Sequence, residues 1–191
     1  MHHTSLPWSY TPRPDTGTSS TGLGMWLFLA SEAMLFGSLF SGYVLLRAGA
    51  SAWPDATGVL SYGHAALATL LLAGSAAALA GRGGASRARL AGSALLAVVF
   101  LVVKFTEYRA KIAAGLVPSA NLLLASWFTL TGMHALHVVA GAGWAAWLAG
   151  PGWRHTTAEP ARRHARVASL RLYWYFVDLV WFGILLGFYI V

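Results

Sequence analysis

Five apolar stretches constrain this chain more than any other feature, each close to the about 20 residues that a helix needs to cross a hydrocarbon core ~30 Å thick. They run over about 22–46, 62–80, 89–109, 122–148 and 171–191. A soluble domain carries about 25% charged residues, whereas charged residues make up 10% of these 191 and hydrophobic ones 57%. Strands of a membrane barrel alternate apolar and polar positions, but the runs here are continuous and rich in Leu and Ala. The expected fold is therefore an all-α integral membrane protein, a bundle of five transmembrane helices, with residues 1–21 as a polar arm and 22–191 as the membrane domain. The arm holds Pro7, Pro12 and Pro14 among many Ser and Thr, and no basic segment, short apolar core and small-residue cleavage site come together in it as in a cleaved leader.

The basic surplus sorts by side. Arg13, Arg82, Arg87, Arg89, Arg154, Arg162, Arg163, Arg166 and Arg171 fall on the side of the N-terminal arm and the second and fourth loops; Arg47, Lys104, Arg109 and Lys111 fall opposite, nine against four. The positive-inside rule then places the N-terminus in the cytoplasm and the C-terminus outside. The formal charge of +7 is read as topology, not as a nucleic-acid surface. With no cysteine, the chain has no disulfide, thiolate metal site, iron–sulfur cluster or thiol nucleophile.

Chemistry must come from polar residues inside the spans. Glu32 and Asp178 sit roughly 15 Å in from the same side, counting 1.5 Å per residue, near the midplane. An ionised carboxylate there is penalised, so each is expected protonated or hydrogen-bonded. His134 and His137, one turn apart on the fourth span, lie at a similar depth. The four are expected to meet as a polar cluster, either proton-exchanging or purely structural. Two histidines on one helix face do not make a bis-histidine haem site. His64 lies at the outer end of the second span, and no HExxH or ExxH occurs, so neither metal nor haem is expected in this chain.

Lys104 and Glu107 are three residues apart and Glu107 and Lys111 four, which predicts a self-neutralising charge pair at the outer interface. Aromatic residues including Trp26, Tyr43, Tyr62, Trp127, Trp147, Tyr173 and Trp174 are compatible with interfacial belts and lipid contact. Gly24, Ser31, Ser38 and Gly42 on the first span, and the Gly183–Gly187 GxxxG on the last, mark expected faces of close helix approach.

Three segments together resemble one family. Gly24-Met-Trp-Leu-Phe-Leu-Ala-Ser-Glu32-Ala-Met-Leu-Phe-Gly37 is similar to the GMWLFLxSExMxFxG signature of subunit III of haem-copper respiratory oxidases. Thr131-Gly-Met-His134-Ala-Leu-His137-Val resembles its TGxHxLHV, and Tyr173-Trp-Tyr-Phe-Val-Asp178-Leu-Val-Trp181 its YWHFVDxVW. The stretch from Lys104 to Tyr108 is similar to the KxxEY of bacterial members. Order and spacing agree from Gly22 to Val191, in the five-helix form that lacks the first two helices of larger members.

The resemblance implies a non-redox accessory subunit of an aerobic terminal oxidase, cytochrome c oxidase above all, in the bacterial cytoplasmic membrane. It would dock directly on catalytic subunit I, with subunit II and further respiratory complexes or a supercomplex nearby. Haem and copper would belong to those partners, not to this chain. The implied role is to support proton uptake and stability and to hold phospholipid. Glu32 matches the family's buried carbodiimide-reactive glutamate, and His134, His137 and Asp178 its polar positions. Tyr175 replaces the usual histidine and Ala168 a frequent glutamate, which removes any role tied to those side chains. Two alternatives remain open: a quinol oxidase subunit III or nitric oxide reductase accessory subunit, and a stand-alone proton-coupled transporter using Glu32 and Asp178.

Overall fold

The computed structural model describes residue 17 and residues 19–56, 59–80, 85–157 and 160–190. Most of the expected N-terminal arm, residues 81–84 between the second and third spans, and Val191 lie outside the described residues. The elements are α1 (Ser20–Gly49), α2 (Tyr62–Leu79), α3 (Arg87–Ala113), α4 (Leu122–Ala149), a short α5 (Pro151–Thr157) and α6 (Pro160–Leu185), the last continuing as a π-helical turn over Leu186–Ile190. Five of these are long and apolar enough to cross a membrane, as the five-span reading requires.

Local chemistry sets the ends. Ser19, Ser86 and Asn121 cap α1, α3 and α4 by accepting the backbone N–H groups of Gly22 at 3.1 Å, Arg89 at 3.3 Å and Leu124 at 2.8 Å. At the end of α3, Gly115 takes φ +75°. Its N–H bonds the Ile112 carbonyl at 3.0 Å and that of Leu116 bonds the Lys111 carbonyl at 2.9 Å, the paired bonds of a Schellman stop, for which a residue without Cβ is favoured.

Two helices run further than hydropathy indicates. α6 starts at Pro160 rather than near 171; its first turns carry Arg162, Arg163 and Arg166, which lower the hydropathy, while Val167 and Leu170 on the same turns are buried. α3 continues to Ala113 because Lys104, Glu107 and Lys111 stay inside the bundle.

The arginines of the basic side also do structural work. Arg87 Nε donates to the Ala149 carbonyl at 2.6 Å, closing the end of α4. Arg89 donates through Nε to Ala78 at 2.7 Å and through Nη2 to Ala80, and Arg171 Nε to Leu79 at 2.8 Å, together satisfying the end of α2. A cation at a helix C-terminus answers both its unpaired carbonyls and its negative dipole end. Arg163 and Arg166 lie over the rings of Trp153 at 4.6 Å and Trp147 at 5.2 Å.

Within the bundle, α2 and α3 are joined by the Ser75 and Ser93 hydroxyls at 2.9 Å. α4 and α6 meet where Gly141 faces the rings of Tyr173 and Trp174, which would lie 3.0 and 3.2 Å from a Cβ there. Trp181 of α6 donates its indole N–H to Thr69 of α2 at 2.9 Å. α1 is the outlying helix: 17% of its most apolar window is buried against 33 to 44% in the other spans. The GxxxG of α6 is where it docks, Gly183 against Phe40 and Gly187 against Tyr43. Three of the four small residues predicted on α1 point the other way, and Gly42 is half-buried. Gly24, Ser31 and Ser38 are exposed, and its buried residues are Met25, Leu29, Phe36 and Tyr43. Several aromatics read as interfacial are core residues instead: Trp127, Trp174, Tyr43 and Tyr173 are at most 4% exposed, whereas Trp26, Tyr62 and Trp147 do face outward. Rings of the facing helix pack directly over the glycines: Tyr173 and Trp174 over Gly141, Phe40 over Gly183 and Tyr43 over Gly187.

Candidate functional site: buried polar groups of the bundle

α1 and α4 bring together two of the four residues expected to cluster. His137 Nε2 lies 2.8 Å from Glu32 Oε2, with the two side chains 13% and 17% exposed. The other ring nitrogen, Nδ1, lies 2.8 Å from the carbonyl oxygen of Met133, one turn back. Phe36 packs its ring edgewise on the imidazole, centroids 4.9 Å apart. Tyr173 of α6 donates to the His137 backbone carbonyl at 2.8 Å.

His134 takes a different direction. Three residues along a helix rotate the side chain by about 60°, enough to aim it away from α1 toward α3 and α6. It is 1% exposed, packed between Phe100 and Trp181 with centroids at 5.8 and 5.3 Å, and neither ring nitrogen has a hydrogen-bond partner. Asp178 lies on α6 with Oδ1 buried and likewise unpartnered. Of the four residues expected to cluster, the structure joins Glu32 to His137 and leaves His134 and Asp178 outside that bond.

The second polar group lies on α3. Lys104 Nζ is 2.7 Å from Glu107 Oε2 and Lys111 Nζ is 3.8 Å from Glu107 Oε1. These contacts follow the expected spacing, and the three side chains are turned into the bundle, 4%, 3% and 7% exposed. Lys104 stands 4.6 Å from the Trp127 ring centre, 5.3 Å from Trp181 and 5.7 Å from Tyr108, and Lys111 stands 4.8 Å from Trp127 on its way to the Val59 carbonyl. Tyr108 pairs with Thr131 at 2.6 Å. A carboxylate shared by two ammonium groups, with ring faces around them, offsets the desolvation that would otherwise force these charges outward. The aromatic cage was invisible in the sequence because Trp127 and Trp181 belong to other helices; only the i,i+3 and i,i+4 charges signalled it.

Among the described residues, no three His, Asp or Glu side chains come together as a metal-holding group. The polar contacts are instead the Glu32–His137 pair and the Lys104–Glu107–Lys111 ion triad, with both His134 ring nitrogens and Asp178 Oδ1 buried and unpartnered. Fold and site together define a polytopic α-helical membrane protein with buried titratable pairs. Residues 60–191 match the profile of cytochrome c oxidase subunit III, and the chain belongs to that family. The matched stretch includes His134, His137 and Asp178; Glu32 precedes it. Among similar proteins, the cytochrome bo(3) ubiquinol oxidase subunit 3 of Pseudomonas aeruginosa is 31% identical over 175 residues, 87% of this chain and 82% of that protein. The cytochrome c oxidase subunit 3 of Corynebacterium diphtheriae is 31% identical over 180 residues, 88% and 87% of the two chains. A heme-copper oxidase subunit I+III of Aeropyrum pernix is 29% identical over 171 residues, which are 82% of this chain and 21% of that protein.

Proposed function

We propose that this chain is a non-catalytic accessory subunit of a haem-copper terminal oxidase in a bacterial cytoplasmic membrane, with its N-terminus in the cytoplasm. The observation that carries this reading is the match to the subunit III family over residues 60–191. The Aeropyrum pernix relative, named as subunit I+III, supports direct docking on a subunit I, which would carry the haem and copper; subunit II and larger respiratory assemblies would follow through it. Glu32, held by His137 between α1 and α4, is the carboxyl that would exchange protons, with the half-buried Asp178 as a second acid and the buried His134 as a further polar group on α4. Lys104 and Glu107 would brace the outer half of the bundle.

Phospholipid binding has its own support. An open cavity of about 400 Å³ runs between α1 and α6, lined by Trp26, Leu29, Ala33, Tyr175, Phe176 and Leu179. Its lining is almost wholly apolar, which suits an acyl chain. Tyr175, at the position where the family usually has histidine, faces this cavity.

A tagged chain extracted in mild detergent should emerge with a haem-containing partner and oxygen-reducing activity; emergence alone overturns the reading. The relatives divide between ubiquinol and cytochrome c oxidases, so the quinol reading stands second. Oxygen uptake by the purified complex with reduced cytochrome c against reduced quinone decides between the two donors.

A further inference from the structure

His137 is held at both ring nitrogens, and the two contacts differ in kind. Nδ1 faces a backbone carbonyl oxygen, that of Met133, at 2.8 Å. A carbonyl only accepts, so this contact is a hydrogen bond only when the hydrogen is on Nδ1. The Met133 carbonyl has two lone pairs, one for the helical bond from the His137 backbone N–H and one for the ring. Nε2 faces Glu32 Oε2 at 2.8 Å, and what it presents follows from Nδ1: a bare lone pair on the neutral ring, an N–H on the imidazolium.

We propose that Glu32 and His137 form a one-proton unit, in which the Met133 carbonyl fixes the histidine tautomer and a single proton occupies the line between Nε2 and Oε2. Two arrangements satisfy that line. In one, the carboxylic acid donates to the neutral ring; in the other, the imidazolium donates to the carboxylate. The two differ only by transfer of the proton across the contact, and both carry zero net charge. Removing the proton sets a lone pair against a carboxylate and leaves one negative charge in a low dielectric. Adding one crowds two hydrogens onto the same line and leaves one positive charge. Neither is tolerated well away from water.

His137 is thus a positioning residue for the Glu32 proton, and exchange requires the contact to open. The contact lies in the seam of the least buried span. The other titratable groups near it are Tyr173 of α6, already donating to the His137 backbone carbonyl, and His134, which turns toward α3 and α6. The use of this unit rests on the reading of Glu32 as a proton-exchanging carboxyl, but its geometry does not.

The test is nitrogen-15 NMR of the assembled complex, labelled on histidine, in native form and as Glu32→Gln. A glutamine amide can donate or accept, so in this variant only Met133 selects the tautomer. The expected result is a protonated Nδ1 on His137 in both, with a bare, accepting Nε2 in Glu32→Gln. The signal is assigned by its loss in His137→Asn, or, if that variant fails to assemble, by its being the histidine whose Nε2 shift moves between native and Glu32→Gln. An unprotonated Nδ1 in either sample overturns the proposal. A protonated Nδ1 together with unchanged turnover stability in Glu32→Gln keeps the pair and removes the functional reading, so the two failures are separable.

Discussion

Tyr43 of α1 donates its hydroxyl to the carbonyl of Gly187 at 2.5 Å and accepts from Arg47 Nη1 at 2.9 Å. The acceptor lies in the π-helical turn at the end of α6, where one residue too many per turn loosens the helix's own bonding. This bond is a polar tether of the outlying helix. Tyr43→Phe should cost about 1 kcal/mol and raise hydrogen exchange in the second half of α1 with little change in α2 or α3. Equal exchange along α1 in both forms would show that the tether does not hold it.

Glycine positions should sort by what a Cβ meets. At Gly141 it would lie 3.0 Å from Tyr173 and 3.2 Å from Trp174, and at Gly183 3.0 Å from Phe40, whereas at Gly92 nothing lies within 4 Å. Gly141→Leu and Gly183→Leu should each cost about 1–3 kcal/mol through overpacking, and Gly92→Ala should be neutral or slightly stabilising. Thermal retention of the complex in detergent measures all three; a neutral Gly141→Leu would mean that α4 and α6 are less closely packed than described.

The buried ion triad predicts an ordering. Glu107→Gln removes the one carboxylate that two lysines share and should be the most damaging single change, by about 3–5 kcal/mol for stranded buried charge. Lys104→Met leaves Glu107 with Lys111 and should cost less. The double variant Lys104→Met with Glu107→Gln should not add the two costs, because the residues are in contact. Steady-state accumulation in the membrane and thermal retention read the order, and strict additivity would contradict a coupled triad.

Orientation can be checked because the chain has no native cysteine. A single cysteine at Ser119, between α3 and α4, should react with a membrane-impermeant thiol reagent from outside intact cells, and one at Ser86, before α3, only after permeabilisation. Reversal of that pattern would invert the topology read from the arginines.

At the functional level, Glu32→Gln should leave assembly intact and alter either proton uptake or the loss of activity during sustained turnover. Oxygen reduction and its decay both matching the parent would make Glu32 a structural group.

The sequence by itself determined the number of spans and the pairing of Lys104 with Glu107. These are local properties: hydropathy over about 20 residues and charges one turn apart. It did not place the start of α6, because arginines at 162, 163 and 166 mask a helix whose buried side is carried by Val167 and Leu170. Only the tertiary structure decided which polar groups meet. His134 and His137 are one turn apart, yet about 60° of rotation sends one to Phe100 and Trp181 and the other to Glu32. Likewise, whether the small residues of α1 or those of α6 form the contact depended on which face the partner helix filled with Phe40 and Tyr43. The rotation of each helix about its axis is set by packing across the bundle, and in spans that are apolar on every side the sequence carries little record of it.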